Sequence, residues 1–162
     1  MLTKEEVYAK LKELGIKFDV LEHKPVYTID EMKEIEGMEI ENVPKNLFLR
    51  NDNGKKHYLV ALSEEKNADL KDLRDQIGSS RLSFASEDRL LKHMGLTKGS
   101  VTLLGLLNEE SKDVIVAIDE DLKKKPRLGV HPCDNTATVW ISYEDLTKIL
   151  KLSGNNVVFV KI

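Results

Sequence analysis

Leu47-Phe48-Leu49-Arg50-Asn51-Asp52-Asn53-Gly54-Lys55-Lys56-His57-Tyr58-Leu59-Val60-Ala61-Leu62 is the stretch on which the fold class turns. Two apolar runs, Leu47–Leu49 and His57–Leu62, flank Asn51–Gly54. An Asn-Gly pair between apolar runs signals a hairpin, because both residues reach the positive φ that a tight turn needs. A pair of antiparallel strands is therefore expected here.

Working outward, the N-terminal side predicts helix, strand, helix. Thr3 and Glu6 form a capping-box pattern, Val7, Leu11 and Leu14 make an apolar stripe, and Gly15 marks the stop. Phe18–Leu21 reads as a short strand before Pro25, and a second helix is expected from Thr28 to a stop at Gly37. On the C-terminal side, Asp69 opens a helix carrying Leu70, Leu73 and Ile77, and Ser86 opens another carrying Leu90, Leu91 and Met94. Ser100–Leu107 reads as an apolar loop or strand, Val114–Ile118 as a buried strand, and Thr136–Ile141 as a β-rich run. Ser142 caps a last helix with Leu146, Ile149 and Leu150, and Val157–Val160 closes as a strand. Strands outnumber helices and come partly as hairpins, so the βαβα alternation of a doubly wound sheet is absent. The expected class is α/β (α+β), with a mixed, mostly antiparallel sheet surrounded by helices, in one domain spanning 1–162.

The chain has 162 residues, 41% apolar and 33% charged, with no repeat or low-complexity segment, which describes an ordinary globular protein. One cysteine, Cys133, excludes an internal disulfide and a multi-cysteine zinc site. The opening MLTKEEVYAKLKELG is charged and amphipathic rather than signal-like, and no segment has the apolar length of a membrane span, so a cytoplasmic location away from membranes is expected. The net charge of −3 excludes a protein that grips duplex nucleic acid over many phosphates, DNA included. Any nucleic-acid contact must be short, such as one strand end. The basic run Lys123–Lys125 with Arg127 reads as a solvated helix end.

No dinucleotide or P-loop glycine pattern occurs, nor HExxH, and His23, His57, His93 and His131 are dispersed, so neither a cofactor nor a metal is expected. Ser79, Ser80 and Cys133 lack a neighbouring base that makes a nucleophile. Three segments do combine reactive side chains with backbone constraint. In Val43–Leu49, Pro44 fixes the entry to a strand whose apolar run holds Lys45 and Asn46 at its mouth. In Lys98–Thr102, Gly99 leads into Ser100 and Thr102, a pattern able to present N–H groups to an anion. In Leu128–Thr138, Gly129 permits close approach, and Pro132 restricts His131 to extended geometry. Each segment alone also has an ordinary structural reading: an edge lysine, a turn asparagine, a plain loop, a packed histidine.

The three occur in the order PKNLFL, GSVT and GVHPCDNTATV, and that order resembles the free-standing prolyl-tRNA editing family, the YbaK/ProX-like aminoacyl-tRNA deacylases. The likeness runs essentially end to end and is nearest the alanyl-tRNA(Pro) deacylase branch, labelled PrdX or ProX. The resemblance implies a mixed α/β fold like the editing domain of bacterial prolyl-tRNA synthetases, working without metal or organic cofactor. It implies hydrolysis of the ester that joins a misattached amino acid to the 3′-terminal adenosine of proline tRNA. Lys45, Asn46 and His131 would be catalytic, and Gly99, Ser100, Thr102 and Gly129 would bind substrate. The partners implied are the acceptor end of tRNA(Pro) and prolyl-tRNA synthetase. Alanine is the expected acyl group, with cysteine the rival, since the neighbouring YbaK branch removes it. The chain departs from the family at Leu103, where members commonly carry proline. Two other readings stay open at this point: a non-catalytic module binding tRNA ends or a synthetase, and a small-molecule binding domain.

Overall fold

The computed structural model describes residues 2–162. In chain order the elements are α1 (Lys4–Glu13), β1 (Asp19–Glu22), α2 (Ile29–Lys33), β2 (Lys45–Arg50), β3 (His57–Leu62), α3 (Leu70–Ile77), β4 (Ser83–Phe84), α4 (Glu87–Met94), β5 (Ile115–Asp119), β6 (Leu128–Val130), β7 (Ala137–Ile141), α5 (Tyr143–Ser153) and β8 (Val157–Val160).

The expected hairpin forms as β2–β3, in register from Lys45 opposite Leu62 to Arg50 opposite His57. Gly54 supplies the left-handed turn with φ +70°. The unbroken apolar run of β3 now has its cause. It is the central strand of a five-stranded sheet ordered β4-β2-β3-β5-β8, antiparallel to β2 and parallel to β5, and all six of its residues are buried. Expected caps form where the sequence places them: Thr3 with Glu6 as a full capping box, Thr28 on Glu31, Asp69 on Lys71 and Asp72, Ser86 on Arg89, Ser142 on Asp145.

Four details differ from the sequence reading. The strands divide into two sheets, the second being a three-stranded antiparallel sheet ordered β1-β7-β6. The sequence marks β6 only as a constrained segment, because three residues interrupted by a glycine carry too little pattern to announce a strand. α2 stops at Lys33 rather than continuing to Gly37. Leu103–Leu107 is neither strand nor plain loop but a 3-10 helix, started by the Thr102 hydroxyl, which accepts from the Leu104 N–H at 3.2 Å. Leu103 is its first residue and is buried in the core. A first helical position favours proline, whose missing N–H has no partner there anyway, so Leu103 fills a place proline would fit without altering the turn.

Both sheets contribute to one apolar cluster, in which Phe48, Leu59 and Ile118 meet Leu128, Val130 and Val139 beneath α1, α4 and α5. Strand alternation sends Trp140, next to Val139, to the opposite face, where it packs with Val26, Met32 and Val43. That smaller cluster backs the cleft described below. Among the described residues no helix is long and apolar enough to cross a membrane. The basic run lies in and after the 3-10 helix Glu120–Lys124, with Lys123 and Lys124 exposed; Arg127 instead bonds Glu39 at 2.6 Å and covers the Trp140 ring 4.6 Å away.

Candidate active site

The first residues of β2, the segment before and within α2, the loop around Gly99 and the end of β6 converge on a cleft of about 330 Å³. Lys45, Asn46, Gly99, Gly129 and His131 all line it. Val26, Ile29, Met32 and Val43 add an apolar wall, and Tyr27 lies at the rim, 63% exposed. Among the lining residues Lys45 alone carries a full charge, and no carboxylate faces the cleft.

Lys45 is held from behind. Its ammonium donates to the main-chain carbonyl of Lys66 at 2.6 Å and to Asn67 Oδ1 at 3.4 Å, which leaves one N–H for a ligand. The loop that offers those acceptors is itself tied down. Asp119, at the end of β5 and 1% exposed, accepts from Ser63 N at 3.0 Å, Lys66 Nζ at 3.0 Å and Asp121 N at 3.1 Å, and Lys66 Nζ also donates to Asp121 at 2.7 Å. Three donors satisfy a buried carboxylate that would otherwise be costly. Asn46 follows on β2. Its Nδ2 reaches Pro44 O at 3.4 Å, while its Oδ1 is buried with no hydrogen-bond partner among the described residues. A buried acceptor without a donor is costly, and one on a residue that lines a cleft is a candidate to be satisfied by a ligand or water.

His131 follows directly on β6, as the first residue of the loop that joins β6 to β7. Nδ1 lies 3.1 Å from the Ala137 carbonyl, which only accepts, so Nδ1 carries the proton. Burial holds the ring below the usual imidazole range, and the resulting neutral ring presents Nε2 as an acceptor. His23 packs against His131 edge to face with ring centroids 6.3 Å apart, and its Nε2 lies 3.0 Å from Thr138 Oγ1. The separation of the two histidines along the chain gave no sign of this pairing.

Gly99 (φ +86°) and Gly129 both serve packing more than the sequence reading assumed. A Cβ on Gly99 would lie 2.7 Å from the Tyr27 ring, and one on Gly129 would lie 2.6 Å from the ring of Trp140, its cross-strand partner. Ser100 and Thr102, expected to bind substrate, do not line the cleft; both are buried. Thr102 instead donates to the His131 carbonyl at 2.7 Å and caps the following 3-10 helix, so it supports the histidine from below. Thr102→Val is expected to strand both partners and to cost about 1–3 kcal/mol, read as a lower urea midpoint, with a matching fall in catalytic rate. Unchanged stability would show that the hydroxyl is dispensable. Cys133 adopts a left-handed backbone (φ 61°), and burial pushes its thiol up to about 12, so it stays protonated and non-nucleophilic at neutral pH. Among the described residues no group of three His, Cys, Asp or Glu side chains is placed to hold a metal.

A cleft with one anchored cation, a neutral histidine and an unpaired amide acceptor suits hydrolysis of an anionic, already activated substrate. Residues 23–149 match the model of the aminoacyl-tRNA editing domain, and the chain belongs to that family, whose members are deacylases. Among particular relatives, the prolyl-tRNA editing protein ProX of Acetoanaerobium sticklandii is 51% identical over 155 residues, covering 96% of this chain and 94% of that protein. The prolyl-tRNA synthetase associated domain-containing protein 1 of Mus musculus is 31% identical over 159 residues, covering 93% and 91%. A solved structure described as a candidate trans-editing enzyme for prolyl-tRNA synthetase superposes with a TM-score of 0.74 at 22% identity, covering 100% of this chain and 99% of that one. The expected fold class is thereby borne out.

Proposed function

We propose that this chain, acting as one editing domain, hydrolyses the ester between a misattached amino acid, chiefly alanine, and the 3′-terminal adenosine of proline tRNA. The observation that carries this reading is the convergence of Lys45, Asn46, Gly99, Gly129 and His131 on one cleft. The similarity to ProX supports proline tRNA as the substrate, and relatives named for a domain associated with prolyl-tRNA synthetase support that synthetase as a partner.

In this reading Lys45 offers its remaining N–H to the negative charge of the 3′-end or of the developing oxyanion. Asn46 Oδ1 accepts from the attacking water and aims it at the ester carbonyl. Water adds to that carbonyl, the bond to the ribose oxygen breaks, and the proton released by water ends on that oxygen, giving free amino acid and a ribose hydroxyl. His131 Nε2 accepts from the adjacent ribose hydroxyl, which relays the proton. No protein nucleophile is required, because an aminoacyl ester is already activated. The apolar wall of Val26, Ile29, Met32 and Val43 receives the small side chain and excludes the larger proline ring. Among small residues such a wall discriminates by only about 10–200-fold, so serine and cysteine are weaker substrates rather than forbidden ones.

The deciding experiment compares hydrolysis of Ala-, Cys- and Pro-tRNA(Pro). Turnover of Ala-tRNA(Pro) above the others is expected. Faster release of cysteine would reassign the substrate, and binding of tRNA without any turnover would make the chain a binding module. Tyr27, exposed and seated on Gly99, is placed to stack the terminal adenine, an interaction worth about 1–3 kcal/mol. Tyr27→Ala is therefore expected to raise KM on every substrate ending in adenosine, and Tyr27→Phe to leave it unchanged.

A further inference from the structure

A second hollow of about 230 Å³ adjoins the cleft and shares Asn46, Leu47, Gly99 and Val101 with it as a common wall. Outside that wall it is lined by Phe84, which is 64% exposed, with Glu87 and Lys98. Tyr27 and Phe84 are the most exposed aromatic side chains of the molecule among the described residues, and each stands at one of these two connected hollows. An aromatic ring left in water beside a ligand cleft is unusual for a core-forming residue and suits a planar ligand.

Phe84 is not loosely placed. It belongs to β4, where it sits opposite Leu49 of β2, and the next residue, Ala85, donates its N–H to Phe48 O at 3.0 Å. The ring is thus carried by the strand paired with the one that carries Lys45 and Asn46. β4 is only two residues long, too short an edge to template another strand, so a second chain pairing there is disfavoured. The cation at this rim is Lys98, whose contact with Glu87 is long, at 3.7 Å, and between exposed groups. Such a pair is weak and leaves the ammonium available to a phosphate.

We infer that the Phe84 hollow is a subsite for the nucleotide that precedes the terminal adenosine, its base stacked on Phe84 and its phosphate near Lys98. The subsite rests on the editing reading above, since it takes the continuation of the same strand. Two aromatic platforms on either side of a shared wall give a single-stranded end a bent path. That path explains how an acidic protein holds an RNA terminus with few charges.

The test uses three alanyl esters: of adenosine alone, of the trinucleotide CCA, and of full tRNA(Pro). Phe84→Ala is expected to raise KM about tenfold on the trinucleotide and the tRNA, with kcat within about twofold. On the adenosine ester its KM should move less than about twofold, and Phe84→Tyr should restore the longer substrates. An equal rise on all three esters, or no rise on any, would overturn the subsite. Binding of unacylated CCA and of AMP, followed by calorimetry, separates this proposal from the editing reading. If wild type hydrolyses nothing yet Phe84→Ala weakens CCA and spares AMP, the subsite stands and the proposed reaction fails. Equal affinity of wild type and Phe84→Ala for CCA removes the subsite whatever the turnover.

Discussion

Lys45→Ala is expected to lower kcat/KM for Ala-tRNA(Pro) by about 10²–10³-fold, the loss typical of one preorganised charge stabiliser. Among the described residues lining the cleft Lys45 alone is charged, so none of them replaces it. Its ammonium is also already in position, bonded to the Lys66 carbonyl, so little reorganisation is left for the reaction to bring about. Stability should change little, because the side chain lies at the rim of the fold and its removal leaves a carbonyl open to water. Lys45→Arg should recover only part of the rate, since a planar guanidinium does not reproduce a compact ammonium between a carbonyl and a ligand. Single-turnover deacylation with a parallel urea titration separates the outcomes. A Lys45→Ala protein with wild-type rate, or one whose rate falls only in step with its stability, would remove Lys45 from the mechanism.

Acidification from pH 6.5 to about 4 is expected to cost the fold up to about 3 kcal/mol through His57. This ring is buried at the start of β3, stacked on His93 of α4 with centroids 3.9 Å apart and on Phe48 at 5.5 Å. Arg89 Nη1 lies 3.1 Å from its Nε2, and because arginine only donates, Nε2 must be an unprotonated acceptor. Burial first, then the positive fields of His93, Arg89, Arg50 and Lys92, lower its pKa to about 4. The unfolded chain takes up this proton near pH 6.5 while the folded chain refuses it until about pH 4. Stability is therefore complete above pH 6.5 and falls as pH drops through that window. His93, also lowered, acts in the same direction. Asp121, held down by Lys66, loses its contribution below this window, and Glu39, held down by Arg127, starts to lose its own only near the lower edge, so most of the window belongs to the histidines. His57→Gln keeps an acceptor for Arg89 without the titration. Urea midpoints at pH 7 and pH 4.5 should converge in that variant, and an undiminished drop would clear His57.

Much of this was legible in the residues. Local chemistry wrote itself plainly: Thr3, Asp69, Ser86 and Ser142 cap the helices they were expected to cap, and the Asn51–Gly54 turn sets the hairpin. Lys45, Asn46 and His131 were picked out because proline and apolar neighbours fix their backbones, and the fold brings them to one cleft. What stayed hidden depends on partners far along the chain. Nothing near Gly129 announces that Trp140 needs its missing side chain, nor anything near Thr102 that its hydroxyl will meet the His131 carbonyl. Ser100 and Thr102 show the same limit: hydroxyls beside a glycine read as ligand contacts, whereas in the fold both are buried. Tyr27, Met32 and Phe84 sit in segments with no catalytic residue type, so composition gave them no claim.

The seat of Lys45 has a consequence for how this sequence can drift. The acceptor that holds the ammonium is a main-chain carbonyl, and no codon change at position 66 can delete a carbonyl. Variation at Lys66 keeps that carbonyl but takes from buried Asp119 its cationic donor, whereas variation at Asp119 releases three donors at once and sets the whole loop adrift. In a library selected for function, position 66 should therefore tolerate more change than position 119, with residues able to donate to Asp119 favoured. Substitutions at 119 would silence the cleft from a site that touches no part of it.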